Sequence, residues 1–159
     1  MNETEAEIYF PENSWNQVEA RAEQVDQSSW VYVNTTIALG LDILDRYWEN
    51  QSLGFQTLLL FEQSGDPKTY HASVVDFADL SRDPTNNETV VSVDVEPELL
   101  EHMTLYTSIL NLTTTNLASW FFYIRTAIDK AEHEGRKVYI NTDDQGNYRQ
   151  VVFNDRVQA

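Results

Sequence analysis

The sequence predicts an α+β protein made of two diverged pseudo-repeats of one strand–helix–helix–hairpin unit, packed together in a single chain. Three observations predict it. Short runs alternating apolar and polar residues open each copy, at 5–10 and 90–95, the period of a strand with one buried face. Behind each come two stretches with apolar residues three and four apart, the period of an amphipathic helix. Each copy then closes on two strand-like runs around a turn. The units are expected at 1–80 and 90–159, joined by a polar linker, 81–89, that contains Asp83-Pro84-Thr85-Asn86-Asn87.

The first copy starts with Glu5-Ala6-Glu7-Ile8-Tyr9-Phe10, and Pro11 ends the strand. A helix is expected over 12–26, with Trp15, Val18, Ala22 and Val25 on its buried side. Gln27-Ser28-Ser29 is a turn, and either serine suits the N-cap of the next helix. That helix, 30–50, carries Val33, Ile37, Leu41, Leu44 and Trp48 on one face, and Leu53-Gly54 breaks it. Strands 55–62 and 70–77 flank a turn at 63–68 that is rich in turn formers.

The second copy repeats this order. Its strand is followed by Pro97 in a helix first turn, where the missing N–H costs nothing. Leu100, Met103, Tyr106 or Thr107, and Leu110 are its inward set. Thr113-Thr114-Thr115 supplies a turn and a cap. A helix over 116–134 holds Leu117, Trp120, Phe121, Ile124 and Ile128, and Gly135 stops it. Strands 137–141 and 148–153 flank the turn 143–147. Pro11 answers to Pro97, Ile43 to Ile128, Glu49 to Glu134 and Tyr70 to Tyr148.

This order of short strand, helix, tight turn and longer helix resembles the ribbon-helix-helix (MetJ/Arc-type) family of DNA-binding proteins, best over 90–135 and less closely over 5–50. In that family two protomers pair their strands into an antiparallel ribbon that enters the major groove. The resemblance implies that 5–10 and 90–95 pair within this one chain, as a fused pseudo-dimer, and that the hairpins are additions. It also marks Ser28, Ser29, Thr113 and Thr114 as positions where the family holds phosphate.

Period two turns Ala6, Ile8 and Phe10, and Val91, Val93 and Val95, toward the helices. The outward set, and so the expected binding ribbon, is Glu5, Glu7, Tyr9, Ser92, Asp94 and Glu96. A DNA reader places donors there, yet four of these six are carboxylates. A carboxylate accepts from cytosine N4, but one such contact contributes only about 1–3 kcal/mol. Clustered carboxylates among phosphates lose more. The chain has 26 acidic and 10 basic residues, a net charge of −16. Such a field repels nucleic acid and anionic membrane and attracts basic partners. Salt adaptation gives the same sign, but richness in Asn, Gln and Thr with few Ala argues against it.

The expected function is a non-enzymatic acidic interaction or regulatory module, a DNA mimic for a basic or nucleic-acid-binding protein. A transcriptional regulator that binds DNA directly is the alternative, and a small enzyme or ligand sink between hairpin and helices a third. The protein is expected as a monomeric pseudo-dimer or a homodimer.

Absent motifs support the non-enzymatic reading. No cysteine excludes disulfides, thiolate zinc sites and thiol nucleophiles. His71, His102 and His133 have no partner at helical ligand spacing, so no metal or other cofactor is expected. The run from Asn141 lacks the calcium loop's terminal Glu, having Val152 instead. Neither phosphate-cradling glycine motifs nor a G-x-S-x-G elbow occurs. The acidic start is no signal peptide, the apolar runs are too short to span a bilayer, and a cytoplasmic protein is expected. The aromatic run 120–123 has more bulk than one helix face buries. Burial between the copies or under a hairpin is expected, with an exposed interface as the alternative.

Overall fold

In a computed structural model, which describes residues 7–63, 65, 67, 69–75 and 90–151, the chain is α+β. The described elements are β1 (Glu7–Pro11), α1 (Glu12–Gln24), α2 (Ser29–Leu53), β2 (Thr57–Gln63) and β3 (Thr69–Val75), then β4 (Val90–Asp94), α3 (Pro97–Leu110), α4 (Thr114–His133), β5 (Val138–Asn141) and β6 (Tyr148–Gln150). The expected linker and the end of the last strand lie outside the described residues. Helix α2 runs three residues past its expected end. Gly54 is the first residue to take the left-handed cap conformation (φ +92°), and its N–H closes onto the carbonyls of Asn50 and Gln51.

β1 and β4 form a two-stranded antiparallel ribbon, with Glu7 opposite Asp94 and Tyr9 opposite Ser92. The two hairpins merge into one antiparallel sheet of order β3-β2-β5-β6, sewn by Leu59 opposite Ile140 and Phe61 opposite Val138. Exchanging β1 with β4, β2 with β5 and β3 with β6 carries each sheet's order onto itself. The β2–β5 seam was not foreseen, because a strand's period specifies its face and not its partner.

Helix α2 lies at the centre and is buried on nearly every side, through Tyr32, Val33, Ile37, Leu41, Ile43 and Leu44. α1 packs on it by Val18 and Ala22, and α3 by Met103 and Tyr106. Trp48, expected in the core stripe, is 42% exposed. It stands toward the end of α2 beside α3, where it meets Tyr106 edge to face at 6.3 Å.

α2 and α4 pack at close quarters. Gly40 lies against the ring of Phe121, so that an added Cβ would stand 2.2 Å from Phe121 Cγ. Close by, Arg125 Nη1 donates to Thr36 Oγ1 at 3.0 Å. Counted from the N-caps Ser28 and Thr113, Gly40 and Arg125 hold the same helical position, twelve residues on, and Thr36 and Phe121 another, eight residues on. The two contacts are therefore mates under the same exchange, filled by different side chains.

A buried asparagine ties the ribbon to α2. Asn34 Oδ1 accepts from the Glu96 N–H at 2.8 Å, while its Nδ2 donates to the carbonyls of Trp30 (2.9 Å) and Asp94 (3.4 Å). Leaving such backbone groups unmatched costs about 1–3 kcal/mol. Asn34→Ala should lower the unfolding free energy by that much in urea titration. It should also raise amide exchange at Glu96 and at the adjoining end of β4, since the clamp holds the strand end.

Candidate functional site

The ribbon follows from alternation. Val93 and Val95 are buried and Asp94 between them is exposed. The expected inward and outward faces of this strand are thus found where its side chains are described. The register makes the Glu7 and Asp94 positions direct cross-strand partners, and likewise Tyr9 and Ser92. For Glu7, Tyr9 and Ser92 the backbone alone is described, and Glu5 lies outside the described residues. Glu96 departs from the expectation. It sits beyond β4 as the half-buried N-cap residue of α3, its carbonyl accepting from the N–H groups of Leu99 and Leu100. There its carboxylate complements the positive end of the helix.

The expected caps resolve to one residue each. Ser28 Oγ accepts from the Val31 N–H at 3.2 Å, and Thr113 Oγ1 from the Asn116 N–H at 3.0 Å. Ser29 and Thr114 are the first helical residues that follow. Ser28 and Thr113 are both exposed.

His102, read as isolated, has a partner after all. Its Nε2 lies 3.0 Å from Asp45 Oδ1, which also accepts from the Tyr106 hydroxyl at 2.5 Å. Sequence spacing missed this because α2 and α3 bring the three together from afar. Burial, and then the hydrogen bond to Asp45, push the Tyr106 hydroxyl well above its ordinary value, so it stays a donor. The cluster staples α3 to α2. Among the described residues no group of three or more His, Cys, Asp or Glu side chains is placed to hold a metal ion, and no helix is long and apolar enough to cross a membrane.

Arg125 is the residue that sequence reasoning passed over. Its side chain is 2% exposed. The guanidinium lies 4.0 Å from the centroid of the Tyr32 ring. Nη1 donates to the Tyr32 carbonyl (3.2 Å) and to Thr35 Oγ1 (2.8 Å), and Nε to Asp129 Oδ2 (3.2 Å). Burial is the main cause raising the Asp129 carboxyl above its ordinary value, with Arg125 acting the other way. Burial likewise pushes the Tyr32 hydroxyl up to about 12. The signals available in sequence were an Arg within an otherwise apolar helical stripe and an Asp four residues on.

The aromatic run divides. Phe121 and Phe122 are buried, Trp120 is half-buried, and Tyr123 is 74% exposed. Trp120 and Tyr123 line a groove of about 510 Å³ between α4 and the β2–β3 face. Compared with known proteins, the chain matches no family model, no curated protein and no solved structure.

Proposed function

We propose that the chain is a non-enzymatic interaction module on a duplicated ribbon-helix-helix-like frame, whose acidic ribbon engages a basic or DNA-binding protein as a DNA mimic does. The observation that carries the reading is the register of the ribbon, in which the acidic positions 7 and 94 stand directly opposite each other. Like charges so placed destabilise a strand pair by about 0.2–1 kcal/mol. A basic partner removes that repulsion on binding and gains the pairing instead. The net charge of −16 steers such a partner in from a distance. The repeated element order and the exchange-symmetric sheets support the duplicated frame.

Charge reversal tests it. The chain and a variant carrying Glu5→Lys, Glu7→Lys, Asp94→Lys and Glu96→Lys are used as bait in a pull-down from the native host, read by mass spectrometry. The expected result is a basic or DNA-binding protein held by the first and lost by the second. Partners retained in full by the variant would sink the reading.

Direct DNA binding is the second reading, favoured by the paired, exposed caps Ser28 and Thr113 at the two long helices' N-termini. Gel retardation across a salt series separates the two. Retardation that weakens steeply with salt supports DNA as the target, and none at low salt removes it.

A further inference from the structure

The groove between α4 and the β2–β3 face departs from the rest of this acidic chain. Its apolar wall includes Phe61, Val74, Trp120 and Tyr123, with Val74 51% exposed and Tyr123 more so. Its basic lining residues are His71, Lys130 and Arg136, and no Asp or Glu lines it among the described residues. In a chain with 26 acids and 10 bases, a groove whose described lining carries bases and no acid is a local reversal of sign. Arg136 is already engaged, by the Glu134 carboxylate at 2.6 Å and the Glu62 carbonyl at 2.8 Å. Lys130 is exposed and makes no ion pair among the described residues. Trp120, Tyr123, Ala127 and Lys130 recur at three- and four-residue spacing along the groove side of α4. At the helical rise, Lys130 stands about 10 Å beyond Tyr123. The volume suits a small organic ligand.

We propose that this groove binds a small amphipathic carboxylate of medium length. Its apolar body lies on Phe61, Trp120 and Tyr123, and its charged end faces Lys130. The site is separate from the ribbon, and its occupant is opposite in charge to the ribbon's.

The test titrates the full chain with decanoate and with decyltrimethylammonium, each below its micelle concentration, by calorimetry and tryptophan fluorescence. The net charge of −16 favours the cation everywhere else, so preference for the anion arises only at a local site. The expected result is saturable decanoate binding at one per chain, stronger than that of the cation. Lys130→Glu should weaken decanoate binding by about tenfold, as like-charge juxtaposition does, with an unchanged melting curve because Lys130 is exposed. Lys130 also lines a second cleft on the other side of α4, with Arg21, Asp129 and His133. Arg21→Glu should therefore leave decanoate binding as it was, as should Asp94→Lys on the ribbon. No saturable decanoate binding, binding of the cation as tight or tighter, indifference to Lys130→Glu, or equal loss on Arg21→Glu would each overturn the assignment.

Discussion

Replacing Arg125 with alanine is expected to destabilise the protein by about 3–5 kcal/mol, the cost of removing one partner from a buried ion pair. The value should fall toward the lower end, because the Asp129 side chain keeps 20% exposure and some water. The two threonines are not the reason. Thr35 and Thr36 donate to the helix carbonyls of Val31 and Tyr32 at 2.8 and 2.6 Å and stay satisfied without the arginine. The loss is the cation over the Tyr32 ring, the volume of a side chain filling the packed region beside α2, and the charge that holds Asp129 ionised. Urea unfolding at pH 7 measures it. The pH dependence has a definite sign. The folded-state pKa of Asp129 is raised, so its contribution is present in full below the unfolded carboxyl's pKa and is lost as pH rises through the folded one. Without Arg125 the folded pKa moves further up. The penalty of Arg125→Ala should therefore be larger at pH 7 than at pH 4. A penalty flat across that range would show that Asp129 is not the group left stranded.

Gly40→Ala is expected to destabilise, against helix propensity. In an open helix interior the change is favourable by about 1 kcal/mol. Here the new Cβ meets three ring carbons of Phe121 at 2.2, 2.3 and 2.6 Å. Phe121 is 1% exposed and has nowhere to turn. Overpacking of this kind costs about 1–3 kcal/mol. Thermal unfolding should show a lower midpoint for Gly40→Ala. On a Phe121→Leu background the same change should be neutral or stabilising, a coupling that identifies the ring as the obstacle. An additive double mutant would place the cause elsewhere.

Element type and inward faces were legible because both rest on local periodicity. Val93 and Val95 in, Asp94 out, and the stripes Val33-Ile37-Leu41-Leu44 and Leu117-Phe121-Ile124-Ile128 need only the spacing of side chains along one strand or helix. The antiparallel meeting of β1 with β4 was also anticipated, from the resemblance and not from periodicity. What was not legible is non-local. The β2–β5 seam, the meeting of Asp45 with His102 and Tyr106, and the burial of Arg125 each depend on which elements face one another. Arg125 escaped notice because its one nearby partner, Asp129, reads in sequence as an ordinary i,i+4 helix pair, and the α2 groups that receive its Nη1 stand 89 to 93 residues back. Asp94 stands where the alternation put it, whereas Glu96 belongs to a helix end.

The mated contacts between α2 and α4 bear on which chains can associate. Gly40 is small where Phe121 is large, and Thr36 is small where Arg125 is long. Set α4 against a second α4 in the same geometry, and Phe121 would meet Arg125 at both places, with too much volume in each. Set α2 against a second α2, and Gly40 would meet Thr36 twice, leaving a void in each. Only the unlike pairing fills both places. The bulk of Phe121 and Arg125 on α4 thus suits this helix to the small residues of α2 and not to a second copy of itself.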